Sequence, residues 1–149
     1  MAQLEPPRPA PLIGARSLSL SPDGSEIAFS YLGDVWVAPS KGGRAMPVTT
    51  NVEMEDNPVW SPDGQWIAFT TNRHGNNDIY LVPAAGGQTR RLTWYTGSDI
   101  PADWSPDGKA ILVRETRDDP NNGLYTIDVA TGRTKQLMLD MMSVGSAKF

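Results

Sequence analysis

Cysteine is absent from this 149-residue chain, and histidine occurs once, at His74. The first absence excludes a disulfide framework, a Cys-ligated zinc site and a thiol nucleophile. The second excludes any intrachain metal site that needs two imidazoles. No apolar run approaches the roughly 20 residues of a membrane helix, so membrane insertion is not expected. An excess of positive charge is missing too: 13 Lys+Arg stand against 17 Asp+Glu, for a formal net charge of −4. Proteins that bind the phosphate backbone are usually basic, so nucleic acid is not an expected partner. Helical apolar periodicity is also lacking. What the chain has in quantity is Gly (14) and Pro (13), a composition suited to many turns joining short strands. Its length is a prior for one domain with ample chain for a core.

Residues 1–15 read as a Pro-rich lead-in, with Pro6, Pro7, Pro9 and Pro11 favouring an extended, polyproline-like chain. The stretch does not show the basic and then apolar pattern of a signal peptide.

Residues 16–149 are organised by an internal repeat. The tetrapeptide Ser-Pro-Asp-Gly begins at Ser21, Ser61 and Ser105, at spacings of 40 and 44 residues. A bulky residue precedes each copy: Leu20, Trp60 and Trp104. An apolar strand follows (Ile27-Ala28-Phe29, Ile67-Ala68-Phe69, Ile111-Leu112-Val113). A second strand carries an aromatic (Trp36, Tyr80, Tyr125), and a glycine turn comes next at Gly42-Gly43, Gly86-Gly87 and Thr131-Gly132. Each unit closes with a further strand. Pro presets φ in the tight turn, Asp bonds its own backbone, and Gly supplies positive φ. Four strands in about 40 to 45 residues is the signature of a β-propeller blade. The expected fold is therefore all-β. Blade 1 spans about 16–49, blade 2 about 57–93 and blade 3 about 101–138, with one extra inner strand, of a fourth blade, at about 144–149.

Residues 57–93, from Asn57-Pro58-Val59-Trp60 to Arg91-Leu92-Thr93, closely resemble the WD-like repeats of TolB and of the N-terminal propellers of tricorn-type proteases. The likeness covers residues 16–149, and the motif is specific for fold rather than for function. The segment Ser30–Trp36 resembles the first blade of a tricorn-like propeller. The third unit departs from the pattern, with Gly123 where Asp34 and Asp78 stand. The resemblance implies a six-bladed ring, a non-catalytic propeller without a cofactor, and a periplasmic or secreted parent protein. The protease site of tricorn-like proteins lies in later domains, outside the repeat seen here.

Three blades do not close a ring. The expectation is that two copies assemble as a homodimer into one six-bladed ring, a structural scaffold. In its strand-level form, the segment 144–149, with Val144 and Phe149, exchanges with the inner strand around Leu18 and Leu20 of the partner's first blade. The competing expectation is a module that binds a peptide or protein through its long connections, near residues 50–56, 71–77, 94–101, 115–122 and 138–144. There Glu53, Glu55, Asp56 and Asp99, with Glu115, Asp118, Asp119 and Asp140, form an acidic rim against Arg73 and Arg117. The plainer account of that rim is a solvated loop face. Trp94 and Tyr95 open one connection, either to grip a ligand or to pack on the next blade. Asp103 sits in an inner strand, positioned to line a central channel. His74 lies in a hairpin loop, and no Ser sits in a Gly-x-Ser-x-Gly elbow that would make it half of a triad. Asp23, Asp63 and Asp107 read as turn residues.

Overall fold

In a computed structural model, residues 8, 10–115, 123–138 and 148–149 are described. Every regular element among them is a β-strand. Twelve strands form three antiparallel four-stranded sheets, each a meander in sequence order. Blade 1 holds β1 (Arg16–Leu20), β2 (Glu26–Tyr31), β3 (Asp34–Pro39) and β4 (Met46–Pro47). Blade 2 holds β5 (Glu55–Trp60), β6 (Trp66–Thr71), β7 (Asp78–Pro83) and β8 (Arg90–Arg91). Blade 3 holds β9 (Asp99–Trp104), β10 (Ala110–Glu115), β11 (Gly123–Asp128) and β12 (Thr134–Met138). The inner strands β5 and β9 begin two residues earlier than the repeat suggests. Of the fourth inner strand expected at 144–149, only Lys148 and Phe149 fall within the described residues, and Val144 lies outside them.

The Ser-Pro-Asp-Gly turns behave as local chemistry requires. Asp23 Oδ1 accepts from Ser21 Oγ (2.7 Å) and from the Ser25 amide (3.0 Å). Asp63 and Asp107 repeat the arrangement. Each serine oxygen also accepts the backbone amide five residues on, so the turn and the next strand start are tied together.

The core lies between blades rather than inside them. Ala28, Val35 and Val37 of blade 1 meet Trp60, Ile67, Phe69, Tyr80 and Val82 of blade 2. Ala68, Ile79, Leu81 and Leu92 of blade 2 meet Trp104, Ile111, Val113 and Ile127 of blade 3. Strand side chains alternate between the two faces. Blade 2 is covered on both faces, so β6 and β7 read as continuous apolar runs. The two outer blades have only one junction each among the described residues.

Gly123 departs from the repeat for a steric reason. A Cβ at this position would lie 2.4 Å from Cε2 of Tyr125, so an aspartate there would displace the buried ring.

Candidate functional site

The connection between blades 1 and 2 carries the acids singled out for a binding rim, and the fold divides them. Glu53 is exposed on the loop. Glu55 is not a rim residue: it begins β5 and is 1% exposed. Its carboxylate accepts from Thr49 Oγ1 on one oxygen and pairs with Arg73 Nη2 on the other. Burial pushes the Glu55 carboxyl up, and the bonds from Thr49 and Arg73 oppose that. The Arg73 guanidinium stands 4.7 Å over the Tyr80 ring and donates to Thr89 Oγ1 at 3.0 Å. A loop acid has become the centre of a buried junction, because an unpaired carboxylate there would be costly to desolvate.

Asp99 is likewise a correction to the loop placement. It begins β9 and is fully buried, at the repeat position of Glu55. Asp56 is half-buried between blades 1 and 2. It accepts from Ser30 Oγ at 2.8 Å and from the Asn57 amide at 2.7 Å. Partial burial pushes its carboxyl up, but hydrogen bonding from Ser17, the Asn57 amide and Ser30 outweighs that and holds it below the usual carboxylate range. Asp103 accepts from its neighbour's amide, Trp104 N (2.9 Å), and from Phe149 N (3.1 Å). Two of the four rim acids named within β5, β9 and their connections are thus buried, and Asp56 serves as an inter-blade clasp. Arg117, Asp118, Asp119 and Asp140 lie outside the described residues.

Trp94 is 62% exposed. Its ring lies beside Gly132 of blade 3 and 5.8 Å from the Arg91 guanidinium, so it bridges toward the next blade while presenting a face to solvent. Tyr95 is 37% exposed. The loop beneath both is held by Asn76 Nδ2, which donates to the Tyr95 and Gly97 carbonyls at 2.5 and 2.9 Å. His74 stacks on Tyr80 at 6.5 Å, which gives the lone imidazole a packing role. Among the described residues, no group of three or more metal-ligating side chains converges.

Sequence reasoning overlooked a buried polar pattern that the repeat does carry. Val35 N donates to Thr49 Oγ1, and Ile79 N donates to Thr93 Oγ1, each at 2.9 Å. Buried Asp78 pairs with Arg91 Nη2 at 2.7 Å. Asp34/Asp78, Thr49/Thr93 and Glu55/Asp99 all recur at one 44-residue offset. An acid that recurs in register with a blade motif signals a structural role, and that spacing was available in the sequence.

The outer faces are the remaining site. On blade 1, Leu18 is 68% and Leu20 59% exposed. Leu20 holds the repeat position of Trp60, which is buried at the blade 1–blade 2 junction. Phe149 is 54% exposed at the far end, beside β9.

Meandering four-stranded blades stacked face to face define a β-propeller arc. Residues 16–148 match the tricorn protease N-terminal beta propeller domain, and the chain belongs to that family. It is 43% identical over 54 residues to tricorn protease homolog 1 of Streptomyces coelicolor, covering 36% of this chain and 5% of that protein. A TolB structure from Agrobacterium tumefaciens superposes with a TM-score of 0.76 at 27% identity, covering 84% of this chain and 46% of that one. The tricorn protease structure shares the fold, with a TM-score of 0.65 at 22% identity over 76% of this chain and 12% of that one. The chain spans less than half the length of each of these relatives.

Proposed function

We propose that these three blades are half of a closed six-bladed ring, completed by a second copy of the chain, and that the assembly is a non-catalytic scaffold. The observation that carries this is the chemistry of the outer faces. Blade 1 presents Leu20, Ile27 and Trp36 at the repeat positions of Trp60, Ile67 and Tyr80, all buried at the blade 1–blade 2 junction. On blade 3, half-buried Leu124 holds the position of Ile79, which is buried at the blade 2–blade 3 junction. The outer face of blade 1 therefore suits the outer face of blade 3 of another copy. Two such contacts related by a two-fold axis close the ring.

Light scattering on a size-exclusion column tests this. A mass of twice the chain is expected. Leu20→Lys should shift the population to monomer while the far-UV circular dichroism stays that of a β-protein. A monomeric wild-type chain with folded blades would overturn the reading and point to further blades on a longer polypeptide, as in the relatives. Removing residues 144–149 tests the strand-exchange form, which predicts a weakened dimer. An unchanged dimer would reject strand exchange alone.

A second reading, peptide binding at the long-loop face, draws support from exposed Trp94 and Tyr95 on a loop pinned by Asn76. Trp94→Ala should then lose peptide retention without loss of assembly. For localisation, the TolB likeness favours the periplasm or secretion. No helix among the described residues is long and apolar enough to cross a membrane.

A further inference from the structure

Between blades 2 and 3, at the Ser-Pro-Asp-Gly end, the surface opens into a cleft of about 600 Å³. Trp66, Leu81, Trp104 and Val129 give it a mainly apolar lining. The blade repeat does not require such a cleft. Trp66 follows Ser61 by five residues, and the same position holds Glu26 in blade 1 and Ala110 in blade 3. Its indole is 38% exposed, an unfavourable placement for a side chain the turn does not need. The corresponding cleft between blades 1 and 2 is about 300 Å³, with polar Glu26 and Gln65 in its wall. Both blades that form the larger cleft are present in full sheet order, so ring closure does not complete or cover it.

Four charged side chains stand at the rim: Asp63, Asp128, Arg90 and Lys109. The carboxylates are engaged by their own turns. Asp63 Oδ1 accepts from Ser61 Oγ (2.5 Å) and Gln65 N (3.0 Å). Asp128 Oδ1 accepts from Thr131 N and Thr131 Oγ1, both at 2.7 Å. These bonds hold both carboxyls below their ordinary range. On the basic side, Arg90 Nη2 donates to the Val129 carbonyl at 2.8 Å, across the cleft from blade 2 to blade 3. That bond fixes the guanidinium in place and uses one of its five N–H donors. Lys109 adds an ammonium with three donors. Arg90, held across the cleft, and Lys109 supply the donors of this rim, while Asp63 and Asp128, each bound to its own turn through Oδ1, balance their charge.

We infer that the cleft binds a small molecule with an apolar or aromatic body and one carboxylate. The body lies against Trp66 and Val129, and the carboxylate meets Lys109 and Arg90. The cleft falls within the usual size of small-molecule sites, and its few polar groups on an apolar lining are the usual composition.

Three probes of one shape separate the contributions: 3-phenylpropionate, its neutral amide 3-phenylpropionamide, and the cation phenethylamine. Each is titrated into the full chain and followed by two-dimensional ¹H–¹⁵N spectra. The carboxylate should move the Trp66 indole N–H and the Lys109 and Val129 amides saturably. It should bind about fivefold or more tightly than the amide, as charge-assisted hydrogen bonds predict. Lys109→Gln should remove most of that preference while leaving amide binding in place. Trp66→Glu, which installs the blade 1 residue, should weaken both probes. The inference is overturned if phenethylamine binds as well as the acid. It also fails if Lys109→Gln leaves the acid-to-amide ratio unchanged, or if the shifted residues lie away from the cleft. Lys109 is exposed, so Lys109→Gln keeps the blades, and it alone decides the matter if Trp66→Glu perturbs the fold. The result does not depend on the oligomeric state, so it stands or falls separately from the ring.

Discussion

The indole Nε1 of Trp104 donates to the carbonyl of Val59 at 3.0 Å, which joins the inner strand of blade 3 to that of blade 2. Trp60 makes the same bond one blade earlier, to Ser19 at 3.1 Å. The tryptophan before each of these two turns thus fills the junction core with its rings and anchors to the preceding blade with its one donor. A large apolar body with a polar handle is what this position demands.

Trp104→Ala should therefore cost about 3–5 kcal/mol, the usual loss for a buried aromatic. Trp104→Phe keeps much of the apolar contact and loses the bond to Val59, so it should cost less. Urea denaturation of both variants measures this. A loss under about 1 kcal/mol for the alanine variant would show that the residue is not core.

Glu55 and Arg73 form a buried pair whose acid side chain is wholly covered and whose base is 18% exposed. Breaking such a pair from one side leaves an uncompensated charge. Glu55→Ala and Arg73→Ala should each destabilise by about 3–5 kcal/mol. The double variant should lose less than the two losses together, because neither charge is then stranded. A double-mutant cycle by denaturant unfolding reads the coupling directly.

Acid should weaken the fold through the turns. Asp23 is lowered to about 2, and Asp63, Asp107 and Asp128 are also lowered, chiefly by hydrogen bonds from neighbouring Ser, Thr and backbone N–H groups. A carboxylate depressed in the folded state binds protons more readily when unfolded. Its contribution is present above the unfolded pKa of about 4 and is lost as pH falls through the folded value. Thermal midpoints should hold steady above about pH 4 and decline toward about pH 2. Replacing Asp23, Asp63 and Asp107 with Asn should flatten that decline.

Leu32 and Gly33 form a two-residue hairpin turn with φ of 52° and 94°. Both positive values match the turn that prefers Asn-Gly. Leu32 is strained there and is 82% exposed, so it gains little from burial. Leu32→Asn should stabilise the chain by about 1 kcal/mol, seen as a raised thermal midpoint. A lowered midpoint would mean that Leu32 makes a contact outside this arc.

The blade count, the strand order and the turn roles were legible in the chain, because they depend on local chemistry. Pro, Asp and Gly act within four residues, and the apolar strands between them repeat in register. The inter-blade cores followed from the same repeat, since Ile67 and Ala68 must point to opposite faces of one strand. The rim was not legible in the same way. Glu53 and Glu55 differ by two places in an acidic stretch, yet one is in water and the other is buried. Arg73 decides this from another loop, by lying over Tyr80 with its guanidinium against the Glu55 carboxylate. The Trp66 cleft was equally hidden, because it arises where blade 2 meets Lys109 and Val129 of blade 3. Turn and strand preferences are properties of neighbours along the chain. The ionic state of a buried carboxylate and the shape of a cleft belong to residues brought together only when the blades stack.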